Sequence, residues 1–562
     1  MDSRRFLFLL LLSALSLPVL AKGKVVSPSE VRFRSPLDIP ILLSGNFGEI
    51  RSNHFHTGID IATEGREGLD IHACEDGYVS RIRVGPYGYG KAIYITHNNG
   101  YTTVYGHLRE FVGDIGGYVE SEQYRRESFE IDMQLGPHDL PVSKGDVVAL
   151  SGNSGSSGGP HLHFEVRQGE TPMNPLNFGF KVADSKRPEA TRIYFYPVFE
   201  KAPVQKPISR SLLGSAGKLR ASTKVVLGCD RVGIGIDAFD RQDGRNNRNG
   251  IYRAELWVDE ELRFTFQMDS LSFREKRYLN AHSDVEESVR NRRKLHRLFR
   301  LPGNGLSLYP EEQGDGFIRL DSARSIQVKL WDHAGNLTTA SAQIEPDSIP
   351  AEPSRDYIQA LEWYKDNYFY SEELMLRMPD EALYDDLWLQ YESGEGKWSS
   401  IHYVHEPFIQ LHQEAELSIK TEDLPEPLID RALIVHKDHR GRTRNMGGHW
   451  EDGYLKTRTD RLGTFYVTVD TLPPVIHTSG WKSGQNLSRS RELVFKISDN
   501  LSGVVRYRVE VDGQWILMDY DAKRNRLAHR FDDRIGKGRH ELRVMVEDER
   551  GNRSERNLWF VR

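Results

Sequence analysis

The chain has 562 residues, a formal charge of −6, 28% charged and 10% aromatic residues, and 38% hydrophobic residues. That acidic balance leaves no basic footprint for nucleic acid, and two cysteines, Cys74 and Cys229, are too few for a disulfide scaffold. At about 150 residues per domain, the length predicts three or four domains.

Met1-Asp2-Ser3-Arg4-Arg5 is followed by an apolar run from Phe6 to Leu20 and then by Ala21-Lys22. A basic start, a short apolar core and a Val19-x-Ala21 ending form the pattern of a secretory signal peptide over 1–21. The run is short for a transmembrane span, and no later segment is long and apolar enough for one. The mature chain is therefore expected to be exported, to the periplasm, the cell envelope or the medium, with no stable membrane span after signal cleavage.

The first chemistry-bearing stretch is His56-Thr57-Gly58-Ile59-Asp60. Gly58 argues against a helix, and in an extended segment His56 and Asp60 share parity, so both can face one metal. The bland alternative is a turn-capping Asp60 and a surface His56. Next, Ala92–His97 and Tyr101–Tyr105 flank Asn98-Asn99-Gly100, which is a strong hairpin signal. Thr103, Tyr105 and His107 are expected on one face, bringing His107 to the metal side. A Gly/Ser-rich loop then leads into His161-Leu162-His163-Phe164-Glu165-Val166-Arg167. Strand side chains alternate, so His161, His163, Glu165 and Arg167 should face one way and Leu162, Phe164 and Val166 a core. Zinc accepts imidazole nitrogen and carboxylate oxygen, and a catalytic site keeps three protein ligands and an open water position. His56, Asp60 and His163 supply such a set.

Taken together, His56-x-Gly-x-Asp60, Tyr105-Gly106-His107-Leu108 and the Ser-Gly-Asn…Gly-Pro approach to His161-Leu162-His163 resemble the lysostaphin-like zinc endopeptidases of the LytM type. Gly45–Arg51 is similar to that family's lead-in strand, and Pro141–Leu150 to the segment before its Gly-rich loop. The resemblance covers roughly residues 40–180. It implies an antiparallel β-sheet domain with a groove, one Zn2+ held by His56, Asp60 and His163, and His161 and His107 as non-ligand catalytic histidines. His161 is favoured as general base and His107 as oxyanion stabiliser. It also implies hydrolysis of peptide bonds in peptidoglycan.

The stretch from His107 to His161 is long for such a domain. The excess, about 113–140, is charged and aromatic and reads as a lid or groove wall, or as a surface loop. Phe47 and Arg51 stand where some relatives place a tyrosine near the metal. His54 lacks the partner spacing of a ligand, and His72, His97 and His138 read as structural or exposed. Glu165 is expected to orient a histidine.

The peptidase domain is expected over 30–182, with Lys181–Pro188 as a linker. Beyond it the pattern is β throughout, predicting a sandwich-like domain over 187–347, a β-rich domain over 355–470 and a last module over 471–562. Asp332-His333-Ala334-Gly335-Asn336 and Asp548-Glu549-Arg550-Gly551-Asn552 each follow a strand-like run. An Asp-x-x-Gly-Asn ending resembles bacterial immunoglobulin-like modules. Arg274–Arg300 is highly charged and reads as a helical excursion. The expected class is thus mainly β: an antiparallel zinc peptidase domain followed by two or three β-sandwich modules. Such modules are compatible with glycan binding, with a cell-envelope protein partner or with a spacer role. The expected activity is an exported zinc metalloendopeptidase acting on peptidoglycan. The alternatives are a non-catalytic or latent regulator of other wall hydrolases, or the same chemistry on a protein substrate.

Overall fold

Short β-branched and aromatic runs broken by Gly, Asn and Asp fold here almost wholly into antiparallel sheets; the computed structural model describes residues 27–562 except 311, 312, 350, 352, 354 and 355. The signal-peptide reading of 1–21 lies outside the described residues. Among the described residues, no helix is long and apolar enough to cross a membrane.

The first sheet runs in the order Leu43–Gly45, Ile59–Ala62, His161–Gln168, Tyr101–Gly106, Ala92–His97, Gly77–Val84, Ile131–Gln134. The Asn-Gly hairpin forms as expected, with Thr96 opposite Thr102. Its register settles which side chains meet. His163 lies opposite Asp60 on one neighbour and Gly106 on the other, and directly opposed residues share a face. His163 and Glu165 therefore look the same way as Gly106 and Val104, while Leu162, Phe164 and Tyr105 enter the core with Ile59, Ile61, Ile93 and Ile95. Thr103 and Tyr105 share a face as expected, but it is the core face, and the expectation that His107 joins them is incorrect. Tyr105 is fully buried on the core side, its hydroxyl bonded to Thr103 and to the Cys74 amide. His107 reaches the opposite side because it leaves the strand in a left-handed conformation, φ 61°, which breaks the alternation.

The stretch read as a lid is instead a docking platform. Gly113–Arg126 is an α-helix burying Ile115, Val119 and Gln123, with Asp114 in its first turn and Arg125 and Arg126 in its last. These signs suit the helix dipole. Its outer side meets the chain's last module. Tyr124 packs edge-on to Trp515 at 5.3 Å, Arg534 lies over the Tyr124 ring, and Arg508 and Arg534 pair with Glu127 and Glu120. The helix lines no part of the histidine groove.

The following strands form an eleven-stranded sheet within Glu189–Pro346, antiparallel except where Leu337–Pro346 runs beside Lys218–Ala221 and Val225–Leu227. The charged excursion is helical as expected, with a 3-10 turn at Phe273–Tyr278 and helices at Leu279–His282 and Val285–Asn291. One two-stranded and two five-stranded sheets occupy Gln359–Val469, and two four-stranded sheets occupy Val475–Val561. Phe47, Ile50 and Phe55 belong to the core beneath the eleven-stranded sheet, so the lead-in to the histidine site is shared with the next domain. Both cysteines are free, Cys74 buried and Cys229 half-buried.

Candidate active site

Three side chains converge where the Ile59–Ala62 and His161–Gln168 strands lie side by side. His56 Nε2, His163 Nδ1 and Asp60 Oδ1 are mutually 3.0 Å apart. A tetrahedral zinc with bonds of about 2.0–2.1 Å separates its ligands by about 3.4 Å, so the triangle has nearly the right size.

The hydrogen bonds fix which ring atoms face the cluster. His56 Nδ1 faces the Asn46 carbonyl at 2.8 Å, and a carbonyl only accepts, so Nδ1 carries the hydrogen and Nε2 turns to the cluster. His163 Nε2 donates to Glu165 Oε1 at 2.9 Å, which turns Nδ1 to Asp60. Burial opposes charge on His163, but the hydrogen bonds to Asp60 and Glu165 raise its pKa to about 9, so without a metal Nδ1 shares a proton with Asp60. A divalent cation at this point would take that proton's place, because metal ligands bind deprotonated. Burial would favour protonation of Asp60, but His56, His161 and His163 around it hold its pKa well below the usual carboxylate value. Its second oxygen accepts from Arg51 at 2.8 Å. The donor set therefore fits a divalent cation of the zinc type.

The support behind the three converging side chains is buried and fully bonded. Glu165 has no exposed surface. Besides His163 it accepts from Thr57 at 2.6 Å, from the Tyr89 hydroxyl, and from Arg167 Nε at 2.6 Å. The expectation that Glu165 orients a histidine agrees with this geometry. Tyr89 stacks on the His163 ring at 4.9 Å. Asn46, Arg51 and Tyr89 were not singled out as site residues from sequence. Tyr89 sits in a Pro-Tyr-Gly-Tyr-Gly turn, and nothing in its spacing points to the metal strand.

His161 and His107 flank the triangle, with rings 4.8 Å apart. His161 Nδ1 donates to Gly159 O at 2.8 Å, and its Nε2 lies 3.5 Å from Asp60 Oδ1. His107 Nδ1 donates to Ser154 O at 2.9 Å. Each thus presents Nε2 to the groove. Burial, with the neighbouring His163 and His161, pushes the His107 pKa down to about 3, so it rests neutral. The remaining histidines lie outside the triangle. His54 is exposed beside Asn53, His97 bonds Thr103, and His72 bonds Gly145 O and Asp38.

The groove over these groups has a volume of about 810 Å³. One wall is the Ser156–Gly158 loop with Tyr89. The other comes from the helical excursion and the domain beyond it: Phe273, Lys276, Arg277, Leu411 and Asp460. Lys523 of the last module bonds the carbonyls of Asn153 and Ser157 behind the loop.

Comparison with known proteins matches the stretch of chain that holds these residues. The model for Peptidase family M23 matches residues 54–124 and 133–175, and that for a Zu5-like domain matches 358–470. The DD-carboxypeptidase/endopeptidase Mpg of Neisseria meningitidis serogroup B is 34% identical over 123 residues, 22% of this chain and 22% of that protein. The peptidoglycan DD-endopeptidase ShyA of Vibrio cholerae serotype O1 is 30% identical over 158 residues, 27% of this chain and 31% of that protein. The chain thus aligns with under a third of the length of these curated relatives. Among solved structures, a mutant catalytic domain of the prophage-encoded M23 protein EnpA from Enterococcus faecalis is 25% identical, covering 26% of this chain and 96% of its own, with a TM-score of 0.20. The sheet that carries His56, Asp60 and His163 is a Peptidase family M23 domain, the N-terminal part of a mainly β chain that also carries a Zu5-like domain.

Proposed function

We propose that the chain is an exported zinc metalloendopeptidase that hydrolyses peptide bonds in peptidoglycan. The observation that carries this reading is the convergence of His56 Nε2, His163 Nδ1 and Asp60 Oδ1, mutually 3.0 Å apart. Bound there, zinc would polarise the scissile carbonyl and lower the pKa of a water to about 7.

The chain's own groups supply the proton handling. His161, fixed at Nδ1 by Gly159 O, takes the proton of the attacking water at Nε2 and returns it to the leaving amine. His107 is the oxyanion partner. Neutral at rest, it takes a proton from solvent at Nε2 as negative charge develops beside it, and donates that proton's hydrogen bond to the oxyanion. The contact therefore strengthens in the transition state, where it accelerates the reaction. Thr57, Tyr89 and Arg167 hold Glu165, which holds His163.

The groove, about 810 Å³ and walled by the Ser156–Gly158 loop on one side and Phe273, Lys276 and Arg277 on the other, has room for a short peptide. The substrate class is supported by the relatives named as peptidoglycan DD-endopeptidases. A regulator that only binds has no use for two helper histidines with anchored Nδ1 atoms. The organisation proposed with this reading is a leader at 1–21, the peptidase at 30–182, β domains at 187–347 and 355–470, and an immunoglobulin-like module at 471–562, with a cell-envelope protein as partner of the later modules.

The test is digestion of purified cell walls by the purified protein, with and without chelator, beside His163→Ala. Chelator-sensitive release of peptide-cleaved muropeptides that disappears in the variant is the expected result. Zinc-loaded protein that releases none would overturn the substrate assignment, and protein that takes up no zinc would overturn the metal assignment as well.

A further inference from the structure

Two aspartate triads lie away from the groove, and they are wired alike. In the first, carboxylate oxygens of Asp184, Asp240 and Asp332 lie within 4.8 Å of one another. Asp184 is in the segment leading to the Glu189–Val198 strand, Asp240 directly follows the Arg231–Phe239 strand, and Asp332 directly follows the Arg324–Trp331 strand. Asn336 donates to both oxygens of Asp332, from its backbone N–H and from Nδ2, each at 2.8 Å, and Nδ2 also donates to the Asp184 carbonyl at 3.2 Å. Asp470, Asp499 and Asp548 repeat the pattern. There Asn552 donates to Asp548 at 2.8 and 2.7 Å and to the Asp470 carbonyl at 3.0 Å. The Asp-x-x-Gly-Asn turn thus serves twice to tie a strand end to a lead-in segment.

Those hydrogen bonds explain the turn but leave the charge uncompensated. Asp240 and Asp332 are 2% and 3% exposed, and among the described residues none of Asp184, Asp240 and Asp332 makes an ion pair. Asp240 Oδ1 is buried without a hydrogen-bond partner. So is Oδ1 of Asn249, which is 1% exposed. Asp240 and Asn249 exchange two backbone hydrogen bonds at 2.9 Å, so their side chains leave the ladder on the same side. Two bare buried oxygens therefore share one face beside two further carboxylates.

We propose that Asp184, Asp240 and Asp332 form a Ca2+ site, with Asn249 Oδ1 as a neutral ligand, and that the ion pins the lead-in segment to its sheet. An all-oxygen set rich in carboxylates suits a hard cation. Ca2+ accepts irregular oxygen cages, whereas Mg2+ demands near-octahedral geometry and keeps its waters. Among the described residues, Asp184, Asp240, Asp332 and Asn249 form no hydrogen bond or ion pair with His56, Asp60, His107, His161 or His163, although Asn249 adjoins Gly250, the partner of Asn46.

The experiment is to count Ca2+ on the full zinc-loaded chain by calorimetric titration through about 10⁻⁴–10⁻³ M, the range of extracellular Ca2+ modules, with a parallel melt. Wild type is expected to bind Ca2+ and melt higher with it, with a weaker response to Mg2+. Asp240→Asn should lose one equivalent relative to wild type, whatever the second triad takes up. Without Ca2+, Asp240→Asn should melt at or above wild type, because it relieves like-charge repulsion. Asp184→Asn, at the more accessible position, should lose the same equivalent and provides the count if Asp240→Asn does not fold. No Ca2+ uptake by wild type, or unchanged stoichiometry in the folded variants, would overturn the site.

Discussion

The Asn46 carbonyl accepts from His56 Nδ1 at 2.8 Å, and the Asn46 side chain exchanges two 2.7 Å hydrogen bonds with the backbone of Gly250. One residue thus orients a metal-facing histidine and fastens the peptidase sheet to the next domain. Asn46→Ala keeps the carbonyl but frees the segment and leaves the Gly250 N–H and C=O unpaired. The expected outcome is a stability loss of about 2 kcal/mol and a fall in zinc affinity of about tenfold. Denaturant melts and a zinc competition titration measure both. Unchanged zinc affinity would show that His56 needs no support from across the boundary.

The sequence made the convergence of His56, Asp60 and His163 legible because strand alternation is local: the His161–Arg167 run sorts itself into two faces from parity alone. His107 broke the same rule, since a single left-handed residue just past the strand end reverses parity, and that residue is not itself a glycine. The lid expectation failed for a different reason. Charge and aromatics at 113–140 mark an interface but not its partner, which lies some 400 residues away, in the module bearing Trp515 and Arg534. The groove wall built from Phe273 to Arg277 was visible only as a charged helical excursion. Long-range packing of that kind leaves no periodic trace.

His107→Ala and His161→Ala separate proton handling from metal binding. Neither ring is among the three converging donors, so each variant should retain zinc. Loss of a positioned acid–base group costs about 10²–10⁴ in rate, and kcat should carry the loss more than KM. Metal analysis beside wall-digestion rates tests this. A variant that loses zinc stoichiometrically would instead make that histidine a ligand.

Glu165→Gln probes the buried support. The amide still accepts from one side but no longer balances Arg167, which is 6% exposed and bonds Glu165 Oε2 at 2.6 Å. Breaking a buried pair by removing one charge costs about 3–5 kcal/mol. Zinc affinity should fall about 10–100-fold as His163 loses its charged acceptor. A variant as stable as wild type would mean that Arg167 is satisfied by Tyr94 and Phe273, over whose rings its guanidinium also lies.

Acid should loosen the site from behind. His282 Nε2 and His296 Nδ1 are 2.9 Å apart in the core under the eleven-stranded sheet, and the Phe55 ring packs edge-on to His282 at 5.3 Å. Burial lowers both histidines, His296 to about 3 and His282 well below its usual value. Their folded values lie below the unfolded value of about 6.5. The stabilising contribution is therefore complete above pH 6.5 and is lost as pH falls from there toward the folded values, because the unfolded chain binds the extra protons. The expected slope is about 1.4 kcal/mol per histidine per pH unit. Melting temperatures from pH 7 to 5 should fall accordingly, and a flat profile would contradict the neutral buried pair.

Lys276 gives the groove a test of substrate orientation. It is exposed on the wall facing His161 and His163 and makes no ion pair among the described residues, while its neighbour Arg277 is engaged by Glu414 at 2.9 Å. An unpaired ammonium on a groove wall favours a substrate carboxylate. Lys276→Ala should raise KM several-fold for a stem peptide with a free carboxylate, leave kcat nearly unchanged, and spare the amidated peptide. An exposed charge pair is worth about 0.2–1 kcal/mol, so the expected change is about 1.4- to 5-fold. It should shrink with added salt, because exposed pairs are screened. Equal losses for the free and amidated peptides would mean that Lys276 shapes the wall rather than reading charge.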